Sequence, residues 1–334
     1  MNILLTGGMG YIGSHTAVLL ASAGYYVHIY DNLCNSKAQT LTRIQELSAK
    51  TVGFTEGDIR DTKKLSQVLR DQKIDAVIHL AGLKAVGESS QKPIEYYANN
   101  VQGSISLIQA MQSVGISTLV FSSSATVYGD PIYLPYDEAH PTSPTNPYGR
   151  NKLQIEEILR DLAGSDKTWK IACLRYFNPV GAHESGLIGE DPNGIPNNLM
   201  PVIAQVVNGK LPSLNIFGND YETEDGTGKR DYIHVVDLAE GHLAALTWLK
   251  DSPGCHAFNL GSGNSRSVME LLHHFENASG QKIPYQVVGR RPGDLAEYYA
   301  KANKARDLLG WETKRDLPEI CNNTWLWIKN NRAS

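Results

Sequence analysis

Tyr148 and Lys152 stand four residues apart in Asn146-Pro147-Tyr148-Gly149-Arg150-Asn151-Lys152, a spacing that puts a phenol and an ammonium on one helical face. Asn146 before Pro147 reads as an N-cap with proline at the first helical position, so the helix starts just ahead of the pair and continues through Ile155, Ile158 and Leu159. A phenolate beside a cation can take the proton of a secondary alcohol while a hydride leaves the same carbon. Lowering a phenol from about 10 to about 7 requires roughly 4 kcal/mol in favour of the anion. One ammonium at about 4 Å supplies a Coulomb term of that order at an effective dielectric near ~20. Ser124 closes the triple serine after the apolar run Thr118 to Phe121, where it can hydrogen-bond the same alcohol and pass its proton to Tyr148. A Tyr-x-x-x-Lys pair alone arises by chance in many helices, so its weight depends on the elements around it.

The hydride needs an acceptor, and the start of the chain offers a place for one. Ile3-Leu4-Leu5-Thr6 feeds into Gly7-Gly8-Met9-Gly10-Tyr11-Ile12-Gly13, an apolar run followed by glycines three apart and then a helical pattern. Gly7 can take the angles of a tight turn, Gly10 puts no side chain between a pyrophosphate and the amides, and Gly13 lets the helix pack close on the strand. The helix start presents free N–H groups and the positive end of its dipole to phosphates. The helix face Ile12, Thr16, Leu19, Leu20 ends at Gly24, and the run Tyr26 to Tyr30 closes with Asp31. About 20 residues past the glycines, that carboxylate can accept from a ribose 2′-hydroxyl and would repel a 2′-phosphate. NAD is therefore expected over NADP, with nearby Lys37 tempering the preference.

The pattern then repeats. Val52 to Glu56 reads as a strand leaving through Gly57-Asp58-Ile59, Leu65, Val68 and Leu69 form one helix face, and Asp75 to Gly82 is apolar enough to be buried on both sides. His79, inside that run, reads as a hydrogen-bonded core histidine. Pro93 opens a long helix carrying Tyr96, Tyr97, Asn99 and Asn100, whose asparagines could face the cofactor, although the solvated side is the commoner case. Lys170 to Leu174 is a further strand. This alternation implies a Rossmann-type, doubly wound parallel sheet, with ligand beyond the carboxyl ends of its strands, where Gly7, Asp31, Asp58, Ala81-Gly82 and Ser122-Ser123-Ser124 all fall. After Phe177 the texture changes to dense Gly, Pro and Asn. The division expected is a dinucleotide-binding domain over 1–177, regained by the chain around 235–260, and a second, smaller α/β substrate lobe over 178–334, with strands near Ala257 to Leu260 and Tyr285 to Val288.

With 334 residues the chain can bury a large core, and its net charge of −4 gives no general pull toward nucleic acid or anionic membrane. No stretch is apolar enough to span a bilayer, and the first residues lack a secretory signal pattern, so a cytoplasmic protein is expected. Cys34, Cys173, Cys255 and Cys321 lack metal-type spacing and read as free thiols in a reducing compartment. No metal is expected.

Six motifs together carry a resemblance: Gly7-x-x-Gly10-x-x-Gly13; Ala81-Gly82-Leu83-Lys84-Ala85-Val86-Gly87-Glu88-Ser89; Ser122-Ser123-Ser124-Ala125-Thr126-Val127-Tyr128-Gly129; Tyr148-x-x-x-Lys152; Arg175-Tyr176-Phe177-Asn178-Pro179-Val180-Gly181-Ala182; and Gly226-Thr227-Gly228-Lys229-Arg230-Asp231-Tyr232-Ile233-His234. They span almost the whole chain, which resembles the UDP-glucose 4-epimerase family of extended short-chain dehydrogenase/reductases. The resemblance implies interconversion of UDP-glucose and UDP-galactose, in galactose metabolism, on tightly held NAD. Tyr148 would remove the 4-hydroxyl proton, hydride would pass to the nicotinamide, and the 4-keto sugar would turn over before the hydride returned to its other face. It implies cofactor contacts at Tyr11, Ile12, Asp31, Asn32, Asn35, Ser36, Asp58, Ile59, Leu80, Ala81, Gly82, Lys84, Asn99, Tyr148, Lys152 and Phe177. Substrate contacts are implied at Lys84, Ser124, Tyr148, Asn178, Asn198, Leu199, Phe217, Arg230, Arg291 and Asp294, the arginines suiting a diphosphate because their planar forks donate in pairs. Tyr298 falls where the family sets pocket size beside the hexose C2, so its ring would disfavour N-acetylated sugars. A homodimer through the helices around Tyr96 to Met111 and Lys152 to Leu162 is also implied. Two positions depart from the family pattern: Asn151, where a small Ser or Thr is usual, and Leu80, where an aromatic is common.

Two other readings compete. A nucleotide-sugar 4,6-dehydratase would need an Asp-Glu pair just after Ser124, and Ala125-Thr126 stands there. A non-catalytic NAD-binding regulator would have little reason to hold Ser124, Tyr148 and Lys152 together with diphosphate-binding arginines.

Overall fold

The computed structural model describes residues 1–193, 196, 198–291 and 293–331. The chain alternates β1 (Asn2–Thr6), α1 (Tyr11–Ser22), β2 (Tyr26–Asp31), α2 (Gln39–Ser48), β3 (Gly53–Glu56), α3 (Thr62–Asp71) and β4 (Ala76–His79). It continues through α4 (Val86–Gln91), α5 (Pro93–Tyr96), α6 (Gly103–Val114), β5 (Thr118–Ser124), α7 (Pro147–Ser165) and β6 (Lys170–Tyr176). Beyond β6 come β7 (Asn178–Val180), α8 (Leu199–Val207), β8 (Leu214–Phe217), β9 (Lys229–His234), α9 (Val235–Trp248) and β10 (Gly254–Leu260). The last elements are β11 (Ser265–Ser267), α10 (Val268–Ser279), β12 (Tyr285–Val288), β13 (Glu297–Tyr298) and α11 (Leu317–Asn330).

One parallel sheet of seven strands runs in the order β10-β6-β5-β4-β1-β2-β3. The strand order reverses between β1 and β4, where sheets of this kind open a crevice beyond their carboxyl ends. The strands read as unbroken apolar runs because both faces are covered. Ile3 and Leu5 join Ala17 and Leu20 of α1 and Leu238 and Ala245 of α9. Leu4, pointing the other way, joins Leu65 and Leu69 of α3 and Leu107 and Met111 of α6. Each such fully buried leucine or isoleucine contributes about 1.5–3 kcal/mol. The chain returns to this sheet after Phe177: β10 pairs with β6, Phe258 opposite Leu174, and α9 packs on α1.

Two small sheets hold the remaining strands. In one, β9 pairs in parallel with β7 and β13 and antiparallel with β11; in the other, β8 pairs in parallel with β12. The sequence shows the strand at Tyr285–Val288 but not β7, β8, β11 or β13. Those are two to four residues long, too short for alternation to show. The helix expected from Pro93 is helical to Val114, but Tyr97–Gln102 is wound as a π-helix between α5 and α6. That wide turn brings Asn100 inward: its Nδ2 donates to Leu83 O at 3.0 Å and its Oδ1 accepts from Leu83 N at 2.8 Å. The four cysteines are free thiols. Among the described residues no helix is long and apolar enough to cross a membrane.

Candidate functional site

The first and third glycines of the opening turn are fixed by packing. Gly7 has φ +70°, and a Cβ on it would lie 2.7 Å from Ala81 N; a Cβ on Gly13 would lie 2.3 Å from Gly7 O. At Gly10 a Cβ would meet only Gly7 O, at 3.4 Å, so the turn is open on the side that a phosphate would approach. Asp31 is buried with its carboxylate already oriented, Oδ2 accepting from Met9 N at 3.0 Å and Oδ1 from Leu33 N at 2.8 Å and Ser36 Oγ at 3.0 Å. Lys37, the cation that tempered the preference for NAD over NADP, is ion-paired with Asp191. Asn32 accepts from Cys34 N, Asn35 accepts from Asn193 N, and Tyr11 donates to Gly181 O at 2.6 Å. A cleft of about 210 Å³ opens on Met9, Gly10, Tyr11, Asn35 and Ser36 without reaching Tyr148.

Farther along the carboxyl ends, Asp58 is held by Arg60 at 2.6 and 2.8 Å, which keeps its carboxyl below the usual range. Ile59 is buried against Gly103, while Ile12 and Leu80 pack onto the core beneath the turn. Ala81 N approaches Thr6 Oγ1 at 3.4 Å. A Cβ on Gly82 would press on Asn100 Oδ1 at 3.3 Å, with Asn100 Cγ at 3.7 Å and Lys152 Nζ at 4.0 Å, so the glycine lets the backbone lie close to both side chains. Asn99 donates to Asn100 Oδ1 at 3.0 Å, turned along the helix. His79 bridges Thr6 Oγ1 at 2.8 Å and Ser104 Oγ at 2.9 Å, and burial pushes it down to about 3, so it is a neutral core group.

At the end of β5 and the start of α7 lie the groups with chemistry. The N-cap is in place: Asn146 Oδ1 accepts from Gly149 N at 2.9 Å, with Pro147 opening the helix. Ser124 accepts from Thr126 N at 3.2 Å and from Thr126 Oγ1 at 2.9 Å. The Ser124 hydroxyl also acts on Tyr148, in the direction that favours the phenolate. Lys152 is buried and donates to Ser122 O at 2.5 Å, with Nζ 4.9 Å from the Phe121 ring centroid and 5.8 Å from that of Tyr148.

The expectation is that the ammonium, aided by a cationic nicotinamide, makes the phenol acidic; in this geometry the ammonium does not face the phenol oxygen. Burial pushes Tyr148 up to about 12, with Ser124 opposing, while burial pushes Lys152 down to about 8, opposed by Glu156. Desolvation exceeds the pairing at this site, because the ammonium donates to a backbone carbonyl rather than to the phenol oxygen.

Glu156, one helical turn beyond Lys152, is a group the sequence reading passed over. It accepts from Arg175 Nε at 2.9 Å and Nη2 at 2.6 Å, and from Ser123 Oγ at 2.5 Å, all of it buried. Arg175 also donates to Tyr128 Oη at 3.0 Å, which donates to Asn259 Oδ1 at 2.6 Å. An arginine inside the apolar strand of β6 and a glutamate on the face of Ile155 and Leu159 were the available signals. Asn151 is fully buried, and its Nδ2 has no partner.

The second cluster forms on the small sheets. Tyr298 donates to Asn178 Oδ1 at 2.6 Å, and the Arg230 guanidinium stands 4.8 Å from its ring centroid. Arg230 and Arg291 both reach Asp294, at 3.4 and 2.9 Å, and Arg291 lies 4.6 Å from the Phe217 ring centroid. Phe177 joins the two clusters, its ring 6.2 Å from that of Tyr298. Lys84 and Asn198 meet through a group not singled out in the sequence, Glu190: its Oε1 accepts from Lys84 Nζ at 2.8 Å and from Asn198 Nδ2 at 3.0 Å. Leu199 opens α8 beside them.

Comparison with known proteins bears on this geometry directly. A sequence model described as the NAD dependent epimerase/dehydratase family matches residues 3–261. The UDP-glucose 4-epimerase of Bacillus subtilis is 54% identical over 331 residues, 99% of this chain and 98% of that protein. A crystal structure of a Stenotrophomonas maltophila UDP-glucose-4-epimerase with bound NAD and formylated UDP-arabinopyranose superposes with a TM-score of 0.98 at 49% identity, covering 100% of both chains. That of the Bifidobacterium longum UDP-glucose 4-epimerase in complex with NAD+ and UDP gives 0.96 at 48%, covering 99% of each. The chain belongs to the NAD dependent epimerase/dehydratase family.

Proposed function

We propose that this chain is a UDP-glucose 4-epimerase, interconverting UDP-galactose and UDP-glucose through a 4-keto sugar. The observation that carries the reading is the gathering of Ser124, Tyr148 and Lys152 at the end of β5 and the start of α7, together with relatives of that activity at 54–55% identity over nearly the full chain. The residues fit NAD: Gly10 leaves room where a side chain would intrude, and Asp31 is oriented as a hydroxyl acceptor. When bound, NAD supplies the hydride acceptor that becomes the donor for the return step.

The chain's own residues handle the proton. Tyr148 takes it from the sugar hydroxyl and gives it back, Ser124 relays it or steadies the oxygen, and Lys152 balances the charge that results. Gly7, Gly10, Tyr11, Ile12, Gly13, Asp31, Asn32, Asn35, Ser36, Asp58, Ile59, Leu80 to Gly82, Lys84, Asn99 and Phe177 bind or border the dinucleotide. Asn178, Asn198, Leu199, Phe217, Arg230, Arg291 and Asp294 take the UDP. Firm anchoring of the diphosphate with a loosely held hexose is what return to the opposite face demands. On this division residues 1–177, with the stretch regained around 235–260, serve the dinucleotide, and the rest of 178–334 serves the UDP-sugar. Thr126, hydrogen-bonded to Ser124, offers no acid or base for eliminating water, which weighs against the dehydratase. Ile94 of α5 and Ile105 of α6, exposed apolar side chains on the helices expected at an interface, support a homodimer. Free cysteines suit the cytoplasm.

Purified protein given UDP-galactose without added NAD should yield UDP-glucose. A dehydrated keto sugar would establish the dehydratase, and no product the regulator. A second outcome concerns Tyr298, whose ring is held by Asn178 and Arg230 and forms a fixed wall. The kcat/KM for UDP-N-acetylglucosamine should fall about tenfold or more below that for UDP-glucose. Comparable values would remove Tyr298 from the role of sieve.

A further inference from the structure

Glu190 lies in the segment that leaves β7 for α8, and its neighbours pin that segment against α2, α11 and the turn before α2. Leu187 O accepts from Arg43 Nη1 at 3.0 Å, and Ile188 is buried in the core that includes Ile3 and Leu5. A Cβ on Gly189 would fall 2.6 Å from Cγ of Trp327, and Asn193 N donates to Asn35 Oδ1 at 3.0 Å. With its backbone held on both sides, Glu190 keeps a side chain only 8% exposed. One oxygen, Oε1, accepts both from Lys84 Nζ at 2.8 Å and from Asn198 Nδ2 at 3.0 Å.

The two donors come from distant parts of the chain, and each is turned to Glu190 at some cost. Asn198 occupies the N-cap of α8, yet its side chain makes no cap bond to that helix, the use asparagine ordinarily has there. Its amide goes to the carboxylate instead. Lys84 carries a flexible four-carbon stem and a half-exposed ammonium, which without a partner would sample many rotamers. Ordering such side chains before a ligand arrives raises affinity and leaves the chemical step alone. We infer that Glu190 is a positioning residue for the UDP-sugar, holding Lys84 and Asn198 in the conformations that receive it. The inference rests on the UDP-sugar reading above and adds to it a residue outside the resemblance motifs.

Glu190→Ala releases both donors, whereas Glu190→Gln keeps an acceptor oxygen and removes the charge. In initial-rate assays with UDP-galactose, KM should rise about tenfold in the alanine variant while kcat stays within about twofold of native. The glutamine variant should fall between the two. In a chain already carrying Lys84→Met and Asn198→Ala, adding Glu190→Ala should move KM less than about twofold, because the carboxylate acts through those two side chains. The melting temperature of the alanine variant should stay within about 2 °C of native, since an ion pair with a half-exposed ammonium adds little to stability. An unchanged KM overturns the inference, as does a fall in kcat at constant KM or the full tenfold effect where Lys84 and Asn198 are already replaced. A lower melting temperature with KM and kcat moved together gives Glu190 a structural role and also overturns it. No conversion of UDP-galactose by the native chain would instead defeat the function assigned to the site.

Discussion

Tyr148→Phe should lower the interconversion of UDP-galactose and UDP-glucose by about 10³–10⁴-fold, the upper range for loss of a positioned acid–base group. The ring would remain on α7, capped by Asn146 and opened by Pro147, so the fold and the dinucleotide turn at Gly7 to Gly13 should be untouched. Ser124 would keep its two bonds from Thr126 but lose the phenol oxygen whose ionisation it favours. The measurement is kcat beside the NAD content of the purified variant, read by absorbance after denaturation. Residual activity within tenfold of native would mean that another group moves the proton. Lost NAD would mean that the phenol serves binding first.

Lys152→Met should separate activity from stability. Burial pushes the ammonium down to about 8, against roughly 10.4 in an unfolded chain. Below pH 8 folded and unfolded chains both hold the proton, and the folded chain carries the full desolvation penalty, about 3 kcal/mol from the difference in pKa. Between about pH 8 and 10.4 the unfolded chain binds more protons than the native one, so this group's contribution to stability improves with pH across that window. Activity should fall across the same window as the counter-charge for Tyr148 is lost. The methionine variant, without a buried ion, should be more stable than native at pH 7 by about 1–2 kcal/mol once the lost bond to Ser122 O is subtracted. Its turnover should drop about 10²–10³-fold. Denaturant melts and initial rates at pH 7 and 9 check both halves. A variant less stable than native at pH 7 would show that the ammonium, through Ser122 O and Glu156, is a net structural support.

The features legible in the sequence were those with a repeating signal or a steric requirement. Gly7, Gly10 and Gly13, the apolar strands up to β6, the cap at Asn146 and the four-residue step from Tyr148 to Lys152 all follow from periodicity or backbone demands. Even the return of the chain through α9 and β10 showed in a late apolar helix and strand. Long-range polar pairing did not show. Nothing near Lys84 points to Glu190, 106 residues away, nor anything near Lys152 to the destination of its proton. The balance between burial and charge at Tyr148 depends on which oxygen the ammonium faces, a matter of a few ångströms. Asn100 turns inward, against the commoner solvent-facing case, because it lies on a π turn, whose altered phase has no clear sequence mark.

The placement of β10 at the outer edge of the large sheet has a consequence for synthesis. Its partner β6 ends at Tyr176, but the strand that shields it begins only at Gly254. While the ribosome makes the intervening stretch, at about 5–20 residues per second, one edge of the nascent sheet stays bare for several seconds. A chain stopped before Gly254 would keep that edge permanently and is the form in which strand-to-strand aggregation should begin.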